Sequence, residues 1–199
     1  MKKGYRFTIE SIIVKEANSK VAKTILITGG CGFIGSNFIQ YMRGAHPDYK
    51  LINLDTLTYS GNLENLKGLK GDKHYLFLRG DITDEQLLSR LFQEYPVEAV
   101  VHFAAETHVD RSILSARPFA HTNVVGTCVL LEAARHHWSG PLAKDPSFRF
   151  VHISTDEVYG TLGRDGLFTE ESPLRPNSPY SASKTGADLL VRSYFETYG

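Results

Sequence analysis

Short apolar, β-branched runs recur along this chain, and each gives way to a polar or glycine-rich stretch and then to a helical period. Thr24-Ile25-Leu26-Ile27-Thr28 is the first. Lys50 to Asp55, Tyr75 to Leu78, Ala99 to Phe103 and Phe148 to Ile153 repeat the pattern. Continuous apolar runs of this length, rather than strict alternation, predict strands buried on both faces of a parallel sheet. Between them, residues up to about Arg43 suit a helix. Asp84 suits the cap of a second helix running to about Glu94, with Leu87, Leu88, Leu91 and Phe92 on one face. A third helical pattern runs from about Phe119 to about His137, with Leu130, Leu131, Ala133 and Ala134. Ser178-Pro179 reads as an N-cap followed by proline at the first helical position, opening a last helix that stops at Tyr198-Gly199. The alternation predicts an α/β, Rossmann-type doubly wound parallel sheet with right-handed crossovers and strand order 3-2-1-4-5. No linker interrupts residues 23–199, which read as one domain. Residues 1–22, with Phe7-Thr8-Ile9 and Ile12-Ile13-Val14, suit a short strand or hairpin or a plain extension, and no function is assigned to them.

The first strand runs into Gly29-Gly30-Cys31-Gly32-Phe33-Ile34-Gly35. Glycines at 29, 32 and 35 form a GxxGxxG spacing between a strand and a helix. There glycine permits a tight turn and lets a pyrophosphate approach the backbone N–H groups of the helix start. Asp55 closes the second strand about twenty residues past Gly35, the spacing of a carboxylate that accepts from ribose hydroxyls; it favours NAD, because it would repel the extra phosphate of NADP. Ala104 and Ala105 follow the fourth strand and are small enough for a cofactor to lie against the backbone. Cys31 reads as a small filler of the loop, not a nucleophile.

The fifth strand ends in Ser154-Thr155-Asp156-Glu157. Hydroxyls and two adjacent acids beyond a strand's carboxyl end mark a site in an open α/β sheet, although the same residue types also cap helices and make turns. Tyr180 and Lys184 are spaced i, i+4 and share a helix face. A nearby ammonium favours phenolate, which makes Tyr180 a candidate base for a sugar or alcohol hydroxyl.

Composition narrows the field. The chain is 42% hydrophobic and 22% charged, the balance of a globular protein. Lys plus Arg and Asp plus Glu are each 22, so charge gives no reason to expect nucleic acid or an anionic membrane as partner. Two cysteines, Cys31 and Cys128, make no disulfide framework, no zinc-ligand spacing occurs, and no metal is expected. No apolar run approaches membrane-spanning length and no signal-peptide core is visible, so a cytoplasmic setting is expected.

Together these motifs resemble the extended short-chain dehydrogenase/reductases. Finer stretches resemble the dTDP-glucose 4,6-dehydratase family: Gly29 to Asn37, Leu54 to Asn62, His102 to Ser112, Ser154 to Gly160 and Ser178 to Lys184. The resemblance covers about residues 23–199. It implies that Tyr180 removes the C4 hydroxyl proton while hydride leaves C4 for NAD, and that Lys184 lowers the Tyr180 pKa and holds the nicotinamide ribose. It further implies Glu157 as base at C5, Asp156 as acid on the departing C6 hydroxyl, and Thr155 as a hydrogen-bonding partner near C4. Phe33, Ile34, Asp55, Thr58, Asp81, Ile82, Ala104, Ala105, Thr107 and Thr122 match the family's cofactor positions, and a homodimer through helices like 119–137 and 180–198 is implied.

The chemistry needs two acids in opposite protonation states, which burial and mutual repulsion can separate. An epimerase would use Tyr180 and Lys184 without needing the acid pair. Members of the resembling family continue beyond the equivalent of Gly199 into a lobe that binds the nucleotide of the sugar. The expectation is therefore a truncated chain with that substrate lobe largely absent, and weak or absent turnover alone. The alternatives are a dehydratase for another nucleotide sugar, such as UDP-glucose, and a non-catalytic NAD-binding fragment.

Overall fold

A computed structural model describes residues 23–139 and 148–199. The reading of residues 1–22 lies outside the described residues. Five parallel strands, β1 (Thr24–Thr28), β2 (Lys50–Asp55), β3 (Tyr75–Arg79), β4 (Ala99–His102) and β5 (Arg149–His152), form one sheet in the order β3-β2-β1-β4-β5, as the alternation predicted. The register sets Thr28 beside Leu54 on one side and His102 on the other, and His102 beside His152. Three strand ends thereby align at one edge.

The apolar runs are continuous because both faces are covered. Successive side chains of a strand point to opposite faces. Leu26, Ile52, Leu54 and Val100 pack with Leu88, Leu91 and Phe92 of α2 (Glu85–Glu94) and with Leu130 and Ala134 of α4 (Thr127–Trp138). Ile25, Ile27, Leu51 and Val101 pack on the other face with Ile39 and Met42 of α1 (Phe33–Ala45). Asp84 caps α2, accepting from Leu87 N–H at 2.9 Å. Ser178 and Ser181 form a reciprocal capping box at the start of α5 (Pro179–Tyr198), with Pro179 at its first position.

Two segments depart from the sequence reading. Val109–Leu114 is a helix, α3, which no apolar stripe announced. The helical pattern expected from Phe119 starts at Arg117 and passes through a π-helical segment, Ala120–Gly126, before α4. The tertiary bonds that account for both lie at the site.

Candidate active site

A cleft of about 460 Å³ opens over the carboxyl ends of β1, β2 and β4. The cofactor positions singled out from sequence lie along it: Gly29, Gly32, Phe33, Ile34 and Gly35 from the first loop, Asp55 and Thr58 after β2, Asp81 and Ile82 after β3, Ala104, Ala105 and Thr107 after β4, Thr122 from the π-helical segment, and Tyr180 and Lys184 from α5. Ser60, Gly61, Glu106, Ile153 and Ser154 also line it; Ser60, Gly61, Glu106 and Ser154 fall within the stretches singled out from sequence, but none of the five was assigned a cofactor role there.

The glycine loop is shaped by close backbone approach. Gly29 has φ +71°, and a Cβ there would lie 2.6 Å from the Ala104 nitrogen; one on Gly35 would lie 2.5 Å from the Gly29 oxygen. Neither position admits a side chain. No side chain caps α1 at Gly32, and its first turn carries no acid, so its N–H groups and dipole remain directed at the cleft. Phe33 and Ile34 beside it are 82% and 61% exposed. An anion-binding helix start flanked by bare apolar surface fits a dinucleotide.

Asp55 has a second task. Its carboxylate accepts from Cys31 N–H at 2.9 Å and from Leu57 N–H at 2.8 Å. It therefore clamps the glycine loop to the loop after β2 and still has lone pairs for a ribose. Cys31 is fully buried, its thiol pushed up to about 11 by burial, with Asp55 adding to the effect and an Asn53 hydrogen bond opposing it. It is inert filler. Across the cleft mouth, Tyr59 donates to Glu106 at 3.2 Å, and the Arg111 guanidinium sits 4.0 Å from the Tyr59 ring centre.

Beyond β5, Asp156–Tyr159 forms a single 3-10 turn capped by Thr155, whose hydroxyl accepts from Glu157 N–H at 3.3 Å. The turn reading of these residues is what the backbone shows. Thr155, Asp156 and Glu157 lie just past the lining of the cleft, next to Ser154. Asp156 and Glu157 are both exposed, so the burial expected to distinguish the two acids does not act here.

Tyr180 and Lys184 are buried on α5. The expected effect of the lysine on the phenol is not what this geometry gives. Burial pushes the Tyr180 phenol above its ordinary range, a Thr155 hydrogen bond opposes this, and Glu157, Asp156 and Asp188 reinforce it. The Lys184 amine is turned elsewhere: it donates to the Ile153 carbonyl at 2.7 Å and lies 3.4 Å from His152 Nε2. Burial lowers it to about 8, against Asp188.

Two supporting residues escaped the sequence reading. Ser112 of α3 is fully buried, and its hydroxyl accepts from Tyr180 N–H at 3.1 Å. Asn123 of the π-helical segment accepts from Glu106 N–H at 2.8 Å and donates to the Glu106 carbonyl at 2.9 Å and the Ser183 hydroxyl at 2.8 Å. It joins the β4 loop to α5. π-Helical turns favour functional positions, but no pattern in the sequence marks this one.

A family model described as GDP-mannose 4,6 dehydratase matches residues 26–199. A dTDP-glucose 4,6-dehydratase of Xanthomonas campestris pv. campestris (strain B100) is 53% identical over 177 residues, covering 88% of this chain and 50% of that protein. The structure of dTDP-glucose 4,6-dehydratase from Bacillus anthracis in complex with NAD is similar at 47% identity and a TM-score of 0.77, covering 89% of this chain and 52% of that one. UDP-glucose 4-epimerase of Thermotoga maritima, solved with UDP-glucose, is similar at 30% identity and a TM-score of 0.76, covering 88% and 52%. The chain spans about half the length of the curated relatives it matches.

Proposed function

The chain belongs to the family described as GDP-mannose 4,6 dehydratase, and on that premise we propose that it carries the NAD-binding and catalytic residues of a dTDP-glucose 4,6-dehydratase. The reaction converts dTDP-D-glucose to dTDP-4-dehydro-6-deoxy-D-glucose and water. The observation that carries the reading is the acid pair Asp156-Glu157 on a turn directly after β5, beside a cleft that also holds Tyr180 and Lys184. The identity to dTDP-glucose 4,6-dehydratases supports the same choice over epimerases, which are similar at about 30%.

NAD, when bound, supplies a hydride acceptor at the nicotinamide and later returns the hydride. The uncapped start of α1 would hold its pyrophosphate, and Asp55 would accept from a ribose hydroxyl. Tyr180 takes the C4 hydroxyl proton, and Thr155, which hydrogen-bonds the phenol, would bond near C4 of the sugar as well. The resulting C4 ketone acidifies C5–H. Glu157 takes that proton, and Asp156 gives one to the C6 hydroxyl, which leaves as water. Glu157, protonated by that abstraction and open to exchange with solvent, would give a proton back to C5 as hydride is returned to C6, completing the 6-deoxy sugar.

The same proposal places the protein in the cytoplasm as a homodimer. Exposed Leu189, Phe195 and Tyr198 on α5 support an apolar contact between the two copies. The test is incubation of the NAD-loaded protein with dTDP-glucose or UDP-glucose in deuterated water, read by mass spectrometry. Water loss with deuterium gained at C5, from the dTDP sugar in preference to the UDP sugar, supports the reading. An epimer that keeps its water, or no NAD binding, overturns it, and NAD binding with neither event favours the non-catalytic NAD-binding fragment instead.

A further inference from the structure

Lys184 is 4% exposed, and its amine meets a ring that serves two partners. His152 Nε2 lies 3.4 Å from Lys184 Nζ and 3.3 Å from Asp188 Oδ1. A neutral imidazole nitrogen carries either a lone pair or a proton. With the lone pair, Nε2 accepts from the lysine ammonium; with the proton, it donates to Asp188. It cannot do both. The other nitrogen, Nδ1, is buried and has no hydrogen-bond partner among the described residues, so no bond on the far side of the ring selects a tautomer.

The surroundings keep this choice local. His102 lies 5.2 Å away, ring to ring. Its two nitrogens are tied to the Thr28 and Thr127 hydroxyls at 2.6 and 3.0 Å, and burial keeps it neutral. His152 is itself held below its usual range by burial, with Lys184 acting in the same direction and Asp188 against it. Asp188 Oδ2 accepts from Ser154 at 2.7 Å, so the carboxylate is anchored to the segment that leads into Thr155, Asp156 and Glu157. Lys184, Asp188 and His102 are thus the titratable groups that face His152, from α5 and from β4.

We propose that His152 and Asp188 are a positioning pair for Lys184, in which the imidazole changes tautomer as the lysine changes charge. Charged Lys184 stands with the proton of His152 on Nδ1 and Nε2 accepting. Neutral Lys184 stands with that proton on Nε2, donating to Asp188. Going from the first state to the second releases one proton to solvent and moves the remaining imidazole proton between nitrogens. The amine so stays against the Ile153 carbonyl and the cleft in either charge state. The pair's place in catalysis rests on the nicotinamide-ribose contact that the family resemblance implies for Lys184, but the coupling itself is a property of the protein alone.

The test is NMR on the labelled full chain without substrate, following the Lys184 side-chain carbon and the two ring nitrogens of His152 across pH. In the native protein both report one midpoint, near pH 8. In His152→Phe, which removes the nitrogens, and in Asp188→Asn, near-isosteric and only partly buried, the lysine midpoint falls by about one pH unit, as expected for loss of a partner to a charged group. His152→Gln holds the native midpoint or raises it, because an amide can accept from the lysine and donate to Asp188 at once. A lysine midpoint unmoved in both Phe and Asn variants overturns the proposal, as does a tautomer that stays the same on either side of the native midpoint. Failure of dTDP-glucose turnover would leave these titrations untouched, and uncoupled titrations would leave the dehydratase reading untouched.

Discussion

Lys184 Nζ lies 2.7 Å from the carbonyl oxygen of Ile153, the residue at which β5 gives way to the Ser154–Glu157 turn. One bond thus ties the helix carrying Tyr180 to the sheet edge carrying the acids. It also fixes a buried amine whose acidity is far from that of a free lysine.

Burial lowers Lys184 from 10.5 to about 8. Below pH 8 the lysine is charged in both folded and unfolded chains, and the folded state bears the full cost of burying that charge. Between pH 8 and 10.5 the unfolded chain holds more protons, so stability rises with pH, by about 3 kcal/mol over the whole window. Lys184→Met lacks this slope. Its stability relative to the native protein is expected to be most favourable below pH 8 and to shrink as pH climbs. Urea unfolding of both proteins between about pH 7 and 9.5 checks this, with the difference between the two curves removing the opposite slopes of the raised Cys31 thiol and Tyr180 phenol, which both proteins share.

Thr155→Ala removes the cap of the Asp156–Tyr159 turn and the hydrogen bond that opposes the rise of the Tyr180 phenol. A stability loss of about 1 kcal/mol is expected from the lost cap. The Tyr180 phenol should then ionise at still higher pH. Ultraviolet titration, with Tyr180→Phe to assign the signal, reads the second effect.

Asp55→Ala leaves the Cys31 and Leu57 N–H groups without their acceptor. Each loss costs about 1–3 kcal/mol where the group stays dry, so the variant should be less stable even before any ligand is added. Asp55→Asn keeps one acceptor oxygen and should fall between. Thermal unfolding separates this clamp from a ribose contact, which would appear only as weaker NAD binding by calorimetry.

Asn123→Leu keeps volume but leaves Glu106 N–H, the Glu106 carbonyl and the Ser183 hydroxyl to find other partners in a site where Asn123 is 1% exposed. A loss of about 2–4 kcal/mol is expected from a broken buried network. NAD affinity should fall with it, because Glu106 and Lys184 line the cleft on either side of this link.

The strands and the glycine loop were legible because their causes are local or periodic. Thr24–Thr28 is buried throughout and Lys50–Asp55 from its second residue on, with apolar residues predominating, since helices cover both faces of the sheet, and Ser178-Pro179 starts α5 through its own side chain and ring. The spacing of Gly29, Gly32, Gly35 and Asp55 follows from the turn and the strand length, so it announced the cleft before any coordinates. The helix at Val109–Leu114 and the π-helical winding of Ala120–Gly126, inside a stretch read as helical, were not legible. Neither has an apolar stripe of its own, and their key bonds, Ser112 to Tyr180 and Asn123 to Ser183, join residues far apart in the chain.

The sequence by itself determined the strand order, the dinucleotide cleft and the presence of Tyr180, Lys184, Asp156 and Glu157 at one edge, because hydrophobic period and glycine geometry act over a few residues. Only the tertiary structure decided how those groups are charged and held. The i, i+4 spacing puts Tyr180 and Lys184 on one face, yet burial and the neighbouring carboxylates raise the phenol, and the amine turns to Ile153 and His152. Acidity depends on desolvation and on charges brought near by folding, and no local pattern records either.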